Sequence, residues 1–96
     1  KFAFVYALVP LAAAAVLKGD DAWAARILGA RDAVTERTGV TFVDKSVHDL
    51  RERAEREVRA RLGPDRWGRA YAAGRVTSID VLLKDIERAS RSRAHA

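Results

Sequence analysis

Catalysis and metal binding usually rest on histidines, cysteines and clustered carboxylates, and this chain is sparing with all three. Its two histidines, His48 and His95, stand far apart, and there is no cysteine to complete a coordination set with either. His48 lies in a strongly charged segment and is read as a solvated side chain, not a base. Asp49, Glu52, Glu55 and Glu57 are each followed four residues later by an arginine: Arg53, Arg56, Arg59 and Arg61. Such i, i+4 pairs mark the solvated face of a helix and contribute about 0.2–0.5 kcal/mol each. No apolar pocket is implied around them that would raise a carboxylate into the range of a general acid. Gly29 lies inside a helical segment, where its missing side chain suits close packing, and no glycine-rich phosphate loop is present. Trp67 and Tyr71, one helical turn apart, read as core anchors in preference to a stacking platform. The expectation is a chain with no catalytic, cofactor-binding or metal-binding residue: not an enzyme.

The charge distribution raises a different chemistry. The chain carries a net charge of +5, and Arg51 to Arg75 holds eight arginines against four acids. A stripe of that kind binds phosphates without reading sequence. Under this alternative, Arg51, Arg59, Arg66, Arg69 and Arg75 would contact phosphate in a basic nucleic-acid-binding helical module. Base reading is disfavoured, because Asn and Gln, the usual adenine readers, are absent.

The elements that would position these residues are all helical. An uncharged run from Phe2 to Leu17 meets a Gly19-Asp20 turn, and a second helix follows to Thr38 with Gly39 as its left-handed cap. A side-chain oxygen of Asp20 or Asp21 is expected to cap that second helix. Pro10 is expected to kink the first. Val40 to Lys45 is a loop whose Phe42 would plug the end of the helix pair. Ser46, with Asp49 three residues on, announces a third helix from Val47 to Leu62. Gly63 ends it, Pro64 opens a fourth that closes at Gly74, and Thr77 or Ser78 caps a fifth. From Ser90 onward the residues have no apolar face and read as a disordered tail. The expected core is Trp23, Ile27, Leu28, Leu50, Val58, Leu62, Trp67, Tyr71, Leu82, Leu83 and Ile86.

Small residues at Ala12, Ala15 and Ala24, with Leu11 and Leu28 between them, let the first two helices approach closely. In this the chain resembles a tetratricopeptide-type repeat, whose small-residue helix turns at Gly-Asp into an Ala- and Leu-bearing partner. The likeness narrows when Gly19, Asp20, Ala24, Ala25, Leu28 and Gly29 are taken with Leu62, Gly63, Trp67, Gly74, Arg75, Ser78 and Asp80. That ordered pair of motifs is similar to the C-terminal part of the helical repeat region of LuxR-type ATPase transcriptional regulators and their adenylate/guanylate cyclase-fused relatives. Arg31, where such helices keep a small residue, makes the repeat degenerate, and Val81 stands in place of an acidic residue. The resemblance implies an all-α, α-solenoid fragment: a degenerate hairpin over 2–38, then three closing helices over 46–89, with 90–96 as linker. It also implies a cytoplasmic, non-catalytic sensor or protein-interaction arm, with DNA bound by a domain elsewhere in the parent protein.

The chain begins at Lys1 and is treated as an excised piece. The run from Phe2 to Leu17 superficially resembles a membrane span or signal peptide, but a span needs about twenty apolar residues and this one leads straight into its partner helix. A buried helix is expected instead. With Phe4, Leu8, Leu11, Ala12 and Ala15 facing the second helix, Phe2, Val5, Val9, Ala13 and Val16 form an apolar stripe on the far side. Cut from a preceding repeat, that stripe is expected to be exposed and to pair two copies as a homodimer, or to pack on the rest of the parent.

Overall fold

The computed structural model describes residues 2–39 and 45–94, and side chains for 7–39, 45–78 and 80–88. The described chain is all-helical: α1 (Phe2–Leu17), α2 (Asp21–Thr38), α3 (Lys45–Leu62), α4 (Pro64–Arg75) and α5 (Ile79–Ala94). Helix α1 ends where Gly19 takes a φ of 79°, which lets its N–H bond the carbonyl of Val16 at 3.0 Å. The Asp20 N–H reaches back to Ala15 at 2.9 Å, and the chain reverses into α2. Asp20 makes no side-chain cap. Asp21 turns instead to Arg61 of α3, whose Nε donates to its carboxylate at 3.0 Å and whose Nη2 donates to the Val16 carbonyl at 3.3 Å. The α1–α2 turn is thus held by an arginine 40 residues away in sequence.

Helix α2 is the centre of the molecule, packed by α1, α3 and α4. Ala24, Ala25, Ile27, Leu28 and Ala30 are buried on it, together with Leu8, Ala12 and Ala15 of α1, Ala54 and Val58 of α3, Trp67 of α4 and Leu82 of α5. Trp23, Leu62, Tyr71 and Ile86 pack against this cluster half-buried. Leu83, expected to face inward, is 36% exposed. It follows Leu82 directly, and neighbours on a helix point about 100° apart, so the buried side of α5 takes only one of them.

Several expected boundaries move. Helix α3 starts at Lys45, which places Ser46 inside its first turn. The chain stays helical through Pro10. Gly74 does not terminate α4 but is buried in its last turn. Helix α5 runs on to Ala94, beyond the end expected near Ala89. Arginines near a helix C-terminus complement its dipole, and Ala and Arg are good helix formers. The Ser78 hydroxyl does cap α5, accepting the Val81 N–H at 3.2 Å. The loop residue Phe42 lies outside the described residues.

The far face of α1 is the largest correction. Val9 is 1% exposed and Val16 5%, and Ala13 is half-buried; α3 packs against α1 as well as α2 and lies beside Ala13 and Val16. A later helix of the same chain covers part of the expected stripe. The side chains of Phe2 and Val5 lie outside those described.

Two glycines allow α4 to lie directly on α2. A Cβ on Gly29 would come closer than 3.0 Å to the carbonyl oxygen of Tyr71, and one on Gly74 equally close to that of Arg26. Backbone cannot yield as a flexible side chain can, so overpacking here should exceed the helix-propensity gain of about 1 kcal/mol for Gly to Ala. Gly74→Ala is therefore expected to lose about 2 kcal/mol or more in urea unfolding. Gly68→Ala, on the same helix with nothing within 4 Å, should instead be neutral to stabilising. Stabilisation by Gly74→Ala would disprove the close contact.

Candidate functional site

The one charged residue buried among those described is Asp32, 8% exposed on α2. It follows Ala24 and Leu28 at successive turns of the same helix, so the apolar row that faces the neighbouring helices ends in a carboxylate. Arg51 continues the buried row of α3 in the same way, one turn before Ala54. Tyr71 arrives from α4 because Gly29, one turn before Asp32, lets its backbone pass. Three helices meet at a single carboxylate.

Its oxygens are fully used. Oδ1 accepts from Arg31 Nη1 at 3.0 Å and from Arg51 Nε at 3.2 Å. Oδ2 accepts from Arg51 Nη2 and from the Tyr71 hydroxyl, the latter at 2.6 Å. Four donors match the roughly four lone-pair positions of a carboxylate. Arg51 Nη1 goes on to Glu55 at 2.6 Å and Glu52 at 3.1 Å. Burial pushes the Asp32 carboxyl up, but hydrogen bonds from Arg51 and Tyr71, the Arg51 charge and the bond from Arg31 prevail and hold it below the usual carboxylate range. Burial and the bond to Asp32 raise the Tyr71 hydroxyl. Burial opposes the charge on Arg51, yet Asp32 and Glu55 outweigh it and raise its pKa. Such a carboxylate favours its ionised form, and its lone pairs are taken up by these donors. The arrangement is a fastening between helices. Among the described residues no group of three or more His, Cys, Asp or Glu is placed to hold a metal ion.

The arginines of the expected phosphate stripe are dispersed. Arg51 is locked in this network, Arg59 pairs with Glu55 at 3.1 Å beside the Trp67 ring, and Arg75 pairs with Glu36 while lying over Tyr71. Arg66 and Arg69 are exposed on α4. Of the expected ladder, Glu55–Arg59 forms at 3.1 Å and Glu57–Arg61 is stretched to 4.0 Å. Trp67 is 8% exposed and stacks on Tyr71 with centroids 5.2 Å apart, as a core anchor. His48 is exposed. Of the apolar stripe expected as an interface, Val9 and Val16 are interior; Leu17, outside that stripe, is 89% exposed. Comparison with protein-family models, curated proteins and solved structures finds no match to this chain.

Sequence reasoning missed Asp32 and its partners, although an acid standing at i+4 from Leu28 in an apolar row was a visible signal. Breaking a buried pair typically costs about 3–5 kcal/mol, so Asp32→Asn should destabilise by about 3 kcal/mol at neutral pH. The Asp32 carboxyl is lower in the folded state than its unfolded value of about 3.9, so its contribution is complete above about pH 4 and lost as pH falls through the folded value. Tyr71 is raised above about 10, so its contribution is complete below that and lost as pH rises through the folded value. The difference between wild type and Asp32→Asn in urea unfolding should be flat from about pH 5 to 9 and shrink in acid. A difference that grows in acid would contradict the network.

Proposed function

We propose that the chain is a non-catalytic protein-interaction or sensor module of a bacterial transcriptional regulator, as its likeness to LuxR-type regulators implies. It works in the cytoplasm as one end of an α-solenoid, engaging the rest of its parent or a second copy. The supporting observation is that α3 packs on both helices of the small-residue α1–α2 hairpin, the manner in which one helical repeat stacks on the next. The buried polar chemistry supports the same reading, since the Asp32 cluster is spent on joining helices. Among the described residues no helix is long and apolar enough to cross a membrane.

The surface for a second copy shifts from the one expected. Val9 is interior, and among the described residues an apolar edge of α1 is the hollow of about 250 Å³ that Ala13, Val16 and Leu17 share with Leu50 and Ala54 of α3. Arg53 and Glu57 stand one turn apart along its rim. A two-fold pairing sets Arg53 of each copy against Glu57 of the other, as a self-complementary interface requires. Light scattering at tens of micromolar (about 50 µM) should show a dimer that Leu17→Glu converts to monomer. A wild-type monomer, or a dimer indifferent to this change, removes the self-association.

The basic-module alternative is tested with a fluorescently labelled DNA duplex. Phosphate binding through several arginines would give a steep fall in affinity between about 50 and 200 mM salt. With three of the five stripe arginines engaged by carboxylates, no saturable binding below ~1 µM is expected at the higher salt. Tight binding with a steep salt slope would replace the interaction reading with the nucleic-acid one.

A further inference from the structure

At the α3–α4 turn, beside the start of α2, lies an open depression of about 360 Å³ lined by Ala22, Leu62, Arg66, Arg69 and Ala70. Its floor is apolar, because Ala22 and Ala70 leave space where larger side chains would stand. Its wall carries two guanidinium groups one turn apart on α4. Both arginines are exposed, and no carboxylate among the described residues is within ion-pair distance of either. The nearest basic residues in sequence are spoken for: Arg59 by Glu55, and Arg61 by Asp21 and the Val16 carbonyl.

We propose that this depression is a docking site for an acidic, apolar segment of a protein partner, which seats a leucine-like side chain on the alanine floor and its carboxylates on Arg66 and Arg69. This rests on the interaction-module reading and names the chemistry of the partner. Charge complementarity selects the occupant. Two cations over an apolar floor suit adjacent acidic and apolar side chains, and guanidinium forks match carboxylates in two-point geometry. A nucleic acid needs a track of cations along its backbone. Here the basic residues that precede Arg66 most closely, Arg59 and Arg61, are already paired with carboxylates.

The probe is a short fluorescein-labelled peptide of alternating Leu-Leu and Glu-Glu pairs, read by anisotropy on the whole chain. Controls are the same peptide with Gln for every Glu, and an oligo-dT strand. The wild-type chain should bind the acidic peptide with Kd below ~1 mM and the neutral one at least about tenfold more weakly. Arg66→Gln/Arg69→Gln should weaken acidic-peptide binding by about tenfold or more while circular dichroism is unchanged. Both substitutions are on exposed residues, so folding is preserved. Arg66→Glu/Arg69→Glu should prefer a Lys version of the peptide. Acidic-peptide binding that the double variant retains within about twofold places the contact elsewhere, and overturns this site while leaving the interaction module standing. An oligonucleotide that binds where the peptide does not overturns both.

Discussion

The backbones of α2 and α4 touch at two glycines, and the rest of the structure follows from that contact. Gly29 receives the Tyr71 carbonyl and Gly74 receives the Arg26 carbonyl, each at a separation that a Cβ would forbid. Because the helices lie this close, Trp67 reaches the alanine-rich face of α2, and the Tyr71 hydroxyl arrives within 2.6 Å of Asp32. Packing interactions fall off steeply with separation, and a gap of half an ångström to an ångström already forfeits a quarter to a half of each contact. Moving α4 outward by the width of a methyl group would therefore loosen the packing of Trp67 on α2 and the polar junction together.

Asp32 then decides how α3 sits. A carboxylate taken out of water carries a penalty of several kcal/mol, which its own bonds must offset. Two donors from Arg51, one from Arg31 and one from Tyr71 do so, and they bring α3 and α4 to the same point on α2. Apolar contacts such as Ala54 and Val58 against α2 are less discriminating, since they tolerate sliding by a fraction of a turn. The ionic junction adds direction to a core that is otherwise made of small, interchangeable side chains. The Arg61–Asp21 pair does similar work at the other end of α3, where it also ties down the α1 carbonyl of Val16.

The net charge of +5 looks different once the helices are stacked. Several arginines serve as connectors between helices: Arg26 joins α2 to Asp85 of α5 at 2.8 Å, Arg61 joins α3 to α2, and Arg75 joins α4 to Glu36. Guanidinium groups suit this task because they fork to two acceptors and lie flat on aromatic rings, as Arg26 does over Trp23 and Arg59 over Trp67. Other arginines stay at the surface without an ion pair among the described residues, Arg37 on α2, Arg53 and Arg56 on α3, and Arg66 and Arg69 on α4.

Most of the helix punctuation was legible in the chain, because it depends on residues next to one another. Gly19, Gly39 and Gly63 take positive φ, Pro64 opens α4 and Ser78 caps α5 through chemistry that spans no more than one turn. The alanine and leucine rows of α1 and α2 were legible for the same reason. The candidate site was not. Arg51 and Asp32 are 19 residues apart and Tyr71 and Asp32 are 39, so no i, i+4 rule links them. The rule that foresaw a charge ladder on α3 assigned no partner to Arg51, the arginine that matters most. Gly74 read as a helix terminator because a glycine near a helix end normally is one; that a carbonyl of α2 fills its place is a fact about a neighbour. Local pattern shows which side of a helix is apolar, but which helix covers that side depends on the competition among all the helices for the same surface. Here α3 took the side of α1 that carries Ala13 and Val16.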